Sequence, residues 1–404
     1  MKKLFALILS ACICAGALTA CSGGSDNSAD GTQGSVSSEN EAETETETEA
    51  ETESDSSENT ETETETEADT SVSAVSDEAK EALRAEFLKG ADEVTVNDDS
   101  VTFTDATSSD SSTITINKNP EKVVNLYASF TTLWYEAGGE VTGCIGGDSS
   151  QALYEEYIGR DITADDGVTV VATSSSGKKW DTETIIALEP DLIICSTAMS
   201  GYSTIENPAK AAGIPVIAVK YDDFSDYLKW FKVFSNLTGH PELWDEVAMK
   251  ALDDVVNVLT EIPDGNAPRV FSMFANASSL NANTSSTVVG GMVSAMKAKN
   301  IVDDWDNAEG ADRLDINLET VFAANPDIII VQCHAGIDAA KEQVEETYGS
   351  NPVWQALSAV KNGKVFYLEK ELFHNKPNSR FAEAYEKLAE ILYPDAEFSF
   401  KSAQ

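Results

Sequence analysis

The stretch Glu183-Thr184-Ile185-Ile186-Ala187-Leu188-Glu189-Pro190-Asp191-Leu192-Ile193-Ile194 returns 136 positions later as Glu319-Thr320-Val321-Phe322-Ala323-Ala324-Asn325-Pro326-Asp327-Ile328-Ile329-Ile330. Each copy reads as a short helix start, a Pro-Asp turn and an all-apolar run. Such a run marks a parallel strand buried on both faces. One unit repeated at domain-sized spacing implies two similar α/β lobes with a crevice between them. It also sets one acidic side chain, Glu183 or Glu319, at the same place on each lobe. Matched lobes suggest a clamp for a ligand before they suggest any chemistry.

Outward from the repeat, the chain divides by composition. Lys2 and Lys3 precede an apolar run over 4–17 that is too short to span a bilayer and is flanked like a signal peptide. It ends in Leu18-Thr19-Ala20-Cys21, which looks like a bacterial lipobox. Residues 1–20 are therefore expected to leave as a lipoprotein signal, with Cys21 lipidated. The alternative is an ordinary cleaved signal and an incidental cysteine. Residues 22–76 hold seventeen acids and no base, and over 41–69 Glu alternates with Thr without an aromatic or large aliphatic residue. With nothing apolar to bury, 21–76 reads as a lipidated cysteine plus a disordered tether, spanning roughly 40 Å root-mean-square.

The net charge is −43, and residues 77–404 alone carry 53 acids against 25 bases. That balance argues against nucleic acid as a partner. Beyond the leader, Cys144, Cys195 and Cys333 remain, an odd number without CxxC spacing, so neither a disulfide framework nor a zinc site is indicated. Cys195 and Cys333 fall at the ends of predicted buried strands and read as core thiols.

About 325 residues suffice for two domains, each with a core. A helix is expected over 77–89, short strands over 94–96, 101–104 and 113–116, and buried strands over 123–127, 141–145, 168–171, 192–195 and 215–219, with helices over 131–137 and 205–212 between them. Residues 77–220 form the N-terminal lobe in this reading. Residues 221–262 are a helical connector, with an apolar stripe Leu243, Val247, Ala251, Val255 and Leu259 on one uninterrupted helix over 242–261. Such a helix, about 30 Å long, is the natural bridge between halves. Residues 263–398 form the C-terminal lobe: strands over 268–274, 328–331 and 364–368, helices over 291–299 and 353–359, and a closing amphipathic helix over 381–392. Strands alternating with helices predict an α/β fold with mainly parallel sheets.

At this point the chain resembles a known family, the substrate-binding proteins of ABC importers that take up ferric siderophores, cobalamin or haem. The resemblance rests on Phe103-Thr104-Asp105-Ala106, Pro120-Glu121-Lys122-Val123-Val124, both repeat units, the bridging helix and Trp354-Gln355-Ala356-Leu357-Ser358-Ala359-Val360-Lys361-Asn362-Gly363-Lys364-Val365. It covers about 99–395, with the family's domain at about 121–395. It implies two Rossmann-like lobes joined by a single long rigid helix, the class III periplasmic-binding fold. It also implies partnership with a permease dimer and its ATPase, and Glu183 and Glu319 match the lobe-top glutamates that dock there. Their residues also favour a plain structural role, since Asp181 and Asn317 are placed to cap each helix and an acid in the first turn suits its positive end.

Ligands in such folds sit beyond the carboxyl ends of the strands. That rule selects the loops carrying Tyr127, Gly146-Gly147-Asp148, 174–180, 196–202, 273–279, His334 and 374–380. The ligand-binding candidates are Tyr127, Trp180, Tyr202, Met273, His334, His374 and Arg380. Trp180 equally reads as packing its own helix, and Arg380 as pairing with Glu383 or Asp395. Three histidines in the chain offer no cluster for a naked Zn²⁺ or Mn²⁺. A ferric chelate, which needs no direct protein ligand, fits best; a corrinoid or haem comes next. No cofactor of the protein's own is expected, and the protein is expected to be a membrane-tethered monomer on the outer face of the cytoplasmic membrane. The chain contains no Gly-x-Ser-x-Gly elbow, Walker loop, His-Glu-x-x-His or Gly-x-Gly-x-x-Gly after its first strand, so an enzyme is not expected.

Overall fold

A computed structural model describes residues 77–174, 180–265 and 267–400, all within one compact unit. Fourteen strands occur among them. A small antiparallel meander leads: β1 (Thr95–Val96), β2 (Ser100–Thr104) and β3 (Thr113–Asn117). The N-terminal lobe holds β4 (Val123–Asn125), β5 (Gly143–Ile145), β6 (Thr169–Ala172), β7 (Leu192–Ser196) and β8 (Val216–Val219). They form one all-parallel sheet in the order β6-β5-β4-β7-β8. The C-terminal lobe holds β9 (Arg269–Ala275), β10 (Leu280–Asn283), β11 (Lys299–Asn300), β12 (Arg313–Asp315), β13 (Ile328–Cys333) and β14 (Val365–Leu368). Its order is β12-β10-β9-β13-β14, with β11 beside the start of β9. β9, β13 and β14 run parallel, whereas β10 and β12 are antiparallel additions at one edge. The fold is thus α/β, two Rossmann-like lobes with mainly parallel sheets.

The repeat builds the same strand in each lobe. β7 and β13 are buried at every position, as a strand covered on both faces must be. Each fully buried isoleucine stabilises the lobe by about 1.5–3 kcal/mol. The Pro-Asp turn that precedes them has a second use. The Asp191 carboxylate accepts the backbone N–H groups of Glu121 and Lys122, both at 2.9 Å, at the entrance to β4. The Asp327 carboxylate accepts the N–H of Arg269 at 2.8 Å, at the entrance to β9. In both lobes the same aspartate's own N–H donates back, to the carbonyl of Lys122 or of Arg269. The two copies therefore pin a central strand to its neighbour before the ladder begins.

Cys144, Cys195 and Cys333 are free and buried. Burial pushes the first two thiols up to about 12 and the third to about 11, so none is a ready nucleophile.

The connector differs from the expected single helix. The run begins at Trp244, its first six residues, Trp244–Met249, are π-wound, and Lys250–Thr260 continues as an α-helix. A wider turn shifts the phase of the apolar stripe by one residue. That lets Trp244 and Val247 as well as Ala248, Ala251, Leu252 and Val255 meet one continuous core. Helix Phe224–Leu237 precedes it, capped by Asp223 and buried along most of its length. Helix Asp77–Asp92 packs across both, with Phe87 edge-on to Phe224 at 5.2 Å and Lys80 bonded to Asn257 at 3.1 Å.

Helix Phe381–Leu392 closes the chain on the same core, where Phe381 stands edge-on to Phe224 at 5.0 Å. Two of the longer helices were not expected from the sequence: Asp148–Ile158 in the first lobe and Ile337–Tyr348 in the second. No described helix is long and apolar enough to cross a membrane.

Candidate functional site: a crevice at the strand ends

Two hollows lie between the lobes where the parallel strands end. The larger, about 620 Å³, is walled on one side by Tyr127 after β4, Gly146–Ser150 after β5, Thr173 after β6 and Met199 after β7. Its opposite wall is His334 after β13 and Lys370, His374 and Asn375 after β14. The smaller, about 260 Å³, shares Tyr127 and adds Tyr221, Lys220, Asp222, Asp312 and Lys376. Gly147 turns the chain into helix Asp148–Ile158 with φ +88°, and a Cβ there would stand 3.0 Å from the Thr173 carbonyl oxygen. Glycine is what the turn requires. Wider hollows of about 990 and 850 Å³ open at the opposite end, where the strands start around Pro190 and Pro268. They carry no histidine and lie at the strands' amino ends, the wrong end for a ligand in a doubly wound sheet.

The far wall is organised around the two histidines. Their rings meet edge to face with centres 4.6 Å apart. His374 stacks on Phe274 at 5.6 Å, and the Arg313 guanidinium covers the Phe274 ring at 4.1 Å. A buried polar chain fixes this stack from behind. Gln332 of β13 donates to the Phe373 carbonyl at 2.6 Å and accepts from Asn283 at 3.0 Å. Arg313 in turn donates to Asn283 at 3.1 Å.

Both Nδ1 atoms are buried without a hydrogen-bond partner. Burial, then Lys370 and Arg313, lower the His334 pKa. Burial, then His334, Lys370, Arg313 and Lys376, bring His374 down to about 3. Both imidazoles are therefore neutral at physiological pH, each with a lone pair to offer. The charged side chains that lower the pair's pKa values are Lys370, Arg313 and, for His374, Lys376.

The other candidates separate. Tyr127 lines both hollows, with its ring against Phe130 at 4.5 Å. Met273 does not reach the crevice: it is fully buried in β9, inside the C-terminal core. Trp180 is 8% exposed, donates to the Ser174 carbonyl at 3.2 Å and packs in the core of its own lobe. Tyr202 is half-buried on that core, its hydroxyl 3.5 Å from Thr107. Arg380 is committed to carboxylates, bonding Glu383 at 2.8 Å and pairing with Glu156 of the other lobe. Of the loop over 174–180, residues 175–179 lie outside the described residues, as do Cys21 and the tether.

Sequence reasoning did not single out Lys370 and Lys376, which line the hollows, nor Phe274 and Arg313, which stack behind His374. Phe274, near the end of β9, and Lys376 lie in stretches that the strand-end rule selects. Lys370 follows β14 by two positions, a usable signal, whereas Arg313 sits on an antiparallel edge strand that the rule does not cover. Behind the crevice, the segment after His374 is tied to the first lobe. Asn378 donates to Thr132 at 3.0 Å, and the Ser379 N–H donates to Glu136 at 3.3 Å. The other Glu136 oxygen is buried without a partner beside the Tyr227 hydroxyl, and burial raises this carboxyl to about 7.

Glu183 and Glu319 take equivalent places. Each is exposed at the second position of its helix, Thr182–Ala187 or Leu318–Ala324. Asp181 caps the first through the Thr184 N–H at 3.0 Å, and Asn317 caps the second through Glu319 and Thr320. Both helices are thus capped by a side chain.

A profile of the periplasmic binding protein family matches residues 123–372. The chain belongs to that family. An uncharacterized ABC transporter substrate-binding lipoprotein of Bacillus subtilis, YvrC, is 26% identical over 301 residues, covering 73% of this chain and 86% of the relative. The Fe(3+)-citrate-binding protein YfmC of the same organism is 24% identical over 261 residues, covering 64% and 76%. The fold is shared with the crystal structure of Staphylococcus aureus IsdE complexed with heme, at a TM-score of 0.56 and 16% identity, over 67% of this chain and 98% of that one.

Proposed function

We propose that this periplasmic binding protein is the extracytoplasmic receptor of an ABC importer, capturing an iron-siderophore-type chelate and delivering it to a permease dimer driven by an ATPase. The observation that carries the reading is the far wall of the crevice: two neutral imidazoles within the field of Lys370, Lys376 and Arg313, at the strand ends. Siderophore and citrate chelates of ferric iron are commonly anionic, and guanidinium and ammonium groups recognise their oxygens. The relative that binds ferric citrate supports the same class. Haem or cobalamin delivery is the second reading, favoured by histidine side chains in the crevice and by the fold shared with haem-loaded IsdE. Capture and release need no catalytic group, so no enzymatic step is assigned.

Cys21 carries the lipid anchor in this reading, and the Glu/Thr tether holds the receptor off the outer face of the membrane. Glu183 and Glu319 present matched charges to the permease. Titrating the purified protein with ferric hydroxamates, ferric catecholates, ferric citrate, cobalamin and haem, followed by tryptophan fluorescence and melting temperature, tests the ligand class. A response to at least one ferric chelate is expected; silence toward all of them refutes the reading. For docking, the double variant Glu183→Lys, Glu319→Lys should bind its chelate unchanged and lose uptake in cells. Normal uptake by that variant would refute the docking role.

A further inference from the structure

The segment over 375–380 fastens the second lobe to the first. Lys376 donates to the Tyr221 carbonyl, while Asn378 donates to Thr132 at 3.0 Å and accepts from the Tyr221 hydroxyl at 3.4 Å. Asn378 is fully buried at φ +53°, a left-handed conformation that its surroundings must hold in place. Ser379 donates to Glu136, and Arg380 pairs with Glu156. Glu136 is the weak member of this set. An ionised carboxylate has two oxygens to satisfy. Here one receives an N–H at 3.3 Å, and the other is buried without a partner, as is the Tyr227 hydroxyl beside it. The groups facing it are Ser379 of the segment, Tyr227 of helix Phe224–Leu237, Tyr221 after β8 and Tyr157 of helix Asp148–Ile158. None of these is a cation, and Arg380 is taken up by Glu156 and Glu383. His240 lies against Gly138, two residues on from Glu136, but is bonded to Glu242 at 3.1 Å. A protonated acid suits the place better, because its O–H finds an acceptor in the Tyr227 oxygen.

We propose that residues 375–380 form a proton-operated latch between the lobes, closed while Glu136 keeps its proton and released when that acid ionises. The carboxylate reaches water only if the segment leaves it, so ionisation and opening favour each other. Release also frees Lys376 from Tyr221 and slackens the crevice wall on the side of His374. Burial raises the carboxyl from 4.5 to about 7 in the closed form. The closed form therefore binds the proton more tightly, and opening becomes easier as pH climbs from about 4.5 to 7 and no easier above. Between pH 5.5 and 8 the opening constant should grow about 25-fold. The latch goes beyond the importer reading and does not depend on which ligand the crevice takes.

The test is amide hydrogen exchange of the whole, ligand-free protein across that pH range, corrected for the intrinsic effect of pH on exchange. Residues 375–380 should exchange faster than β13 at every pH, since a latch opens without unfolding the sheet. Their exchange should rise about 25-fold from pH 5.5 to 8. In Glu136→Gln, which cannot ionise, it should stay within about twofold over the same range. If that variant does not fold, the native profile decides alone, with a rise of about tenfold per pH unit that levels near neutral pH. A segment that exchanges no faster than β13 would overturn the latch, because global unfolding would then account for the pH effect. A native segment indifferent to pH, or a glutamine variant that keeps the rise, would overturn the role of Glu136.

Discussion

Glu136 is an acid held where its charge is unwelcome, and replacing it with glutamine should stabilise the protein in a pH-dependent way. Burial raises the carboxyl from about 4.5 to about 7 in the folded chain. The folded state therefore binds the proton more tightly than the unfolded one, so stability falls as pH rises from about 4.5 to 7 and is level above that. At 1.36 kcal/mol per unit, the full cost is about 3 kcal/mol at pH 8, and about 1.4 kcal/mol is already present at pH 5.5. Glu136→Gln keeps an oxygen to accept from the Ser379 N–H and offers an amide beside the Tyr227 hydroxyl. The variant should gain roughly 2 kcal/mol more over the native protein at pH 8 than at pH 5.5. Urea unfolding followed by tryptophan fluorescence at the two pH values measures this directly. An equal difference at both, or a native protein more stable than the variant at pH 8, would refute the assignment of a buried, proton-binding carboxyl.

Two further substitutions test the frame of the lobes. Asp191→Ala removes an acceptor for two backbone N–H groups and should cost about 1–2 kcal/mol, with Asp327→Ala, one acceptor fewer, costing about 1 kcal/mol; thermal melts should order the two that way. Arg380→Ala breaks the pairs with Glu156 and Glu383, both part-exposed, and should cost about 1 kcal/mol. In chelate titrations its affinity should stay within about twofold of native, which separates a strut from a ligand.

The repeat made the two parallel sheets legible because an all-apolar run next to Pro-Asp has few other readings. Closing helix 381–392 was equally plain, its apolar stripe being complete. Helix Ile337–Tyr348 escaped notice because Ala340 and Val344 are its fully buried residues, too few for a stripe. Helix Asp148–Ile158 opens on a run of polar residues after Gly147, which reads as loop. β10 and β12 are short, antiparallel and rich in Asn, Asp and Arg, against the expectation for a buried α/β strand. At the site, the strand-end rule brought His334, His374 and Tyr127 to the crevice. It did not make the histidines neighbours, because that depends on β13 lying beside β14, a pairing no single sequence prints. Met273 misled by position: it sits at the right end of β9, but alternation along the strand turns it inward and Phe274 outward.

The tie between the lobes also bears on how the crevice wall is held. His334 directly follows β13 and its N–H donates to the Ala275 carbonyl, so it belongs wholly to the second lobe. His374 hangs on a strap with two owners. Gln332 of the second lobe holds Phe373 just before it, while Thr132, Glu136 and Glu156 of the first lobe hold Asn378, Ser379 and Arg380 just after. Drawing the lobes apart pulls on one imidazole and leaves the other in place. The gap between the two rings is thus a gauge of lobe separation.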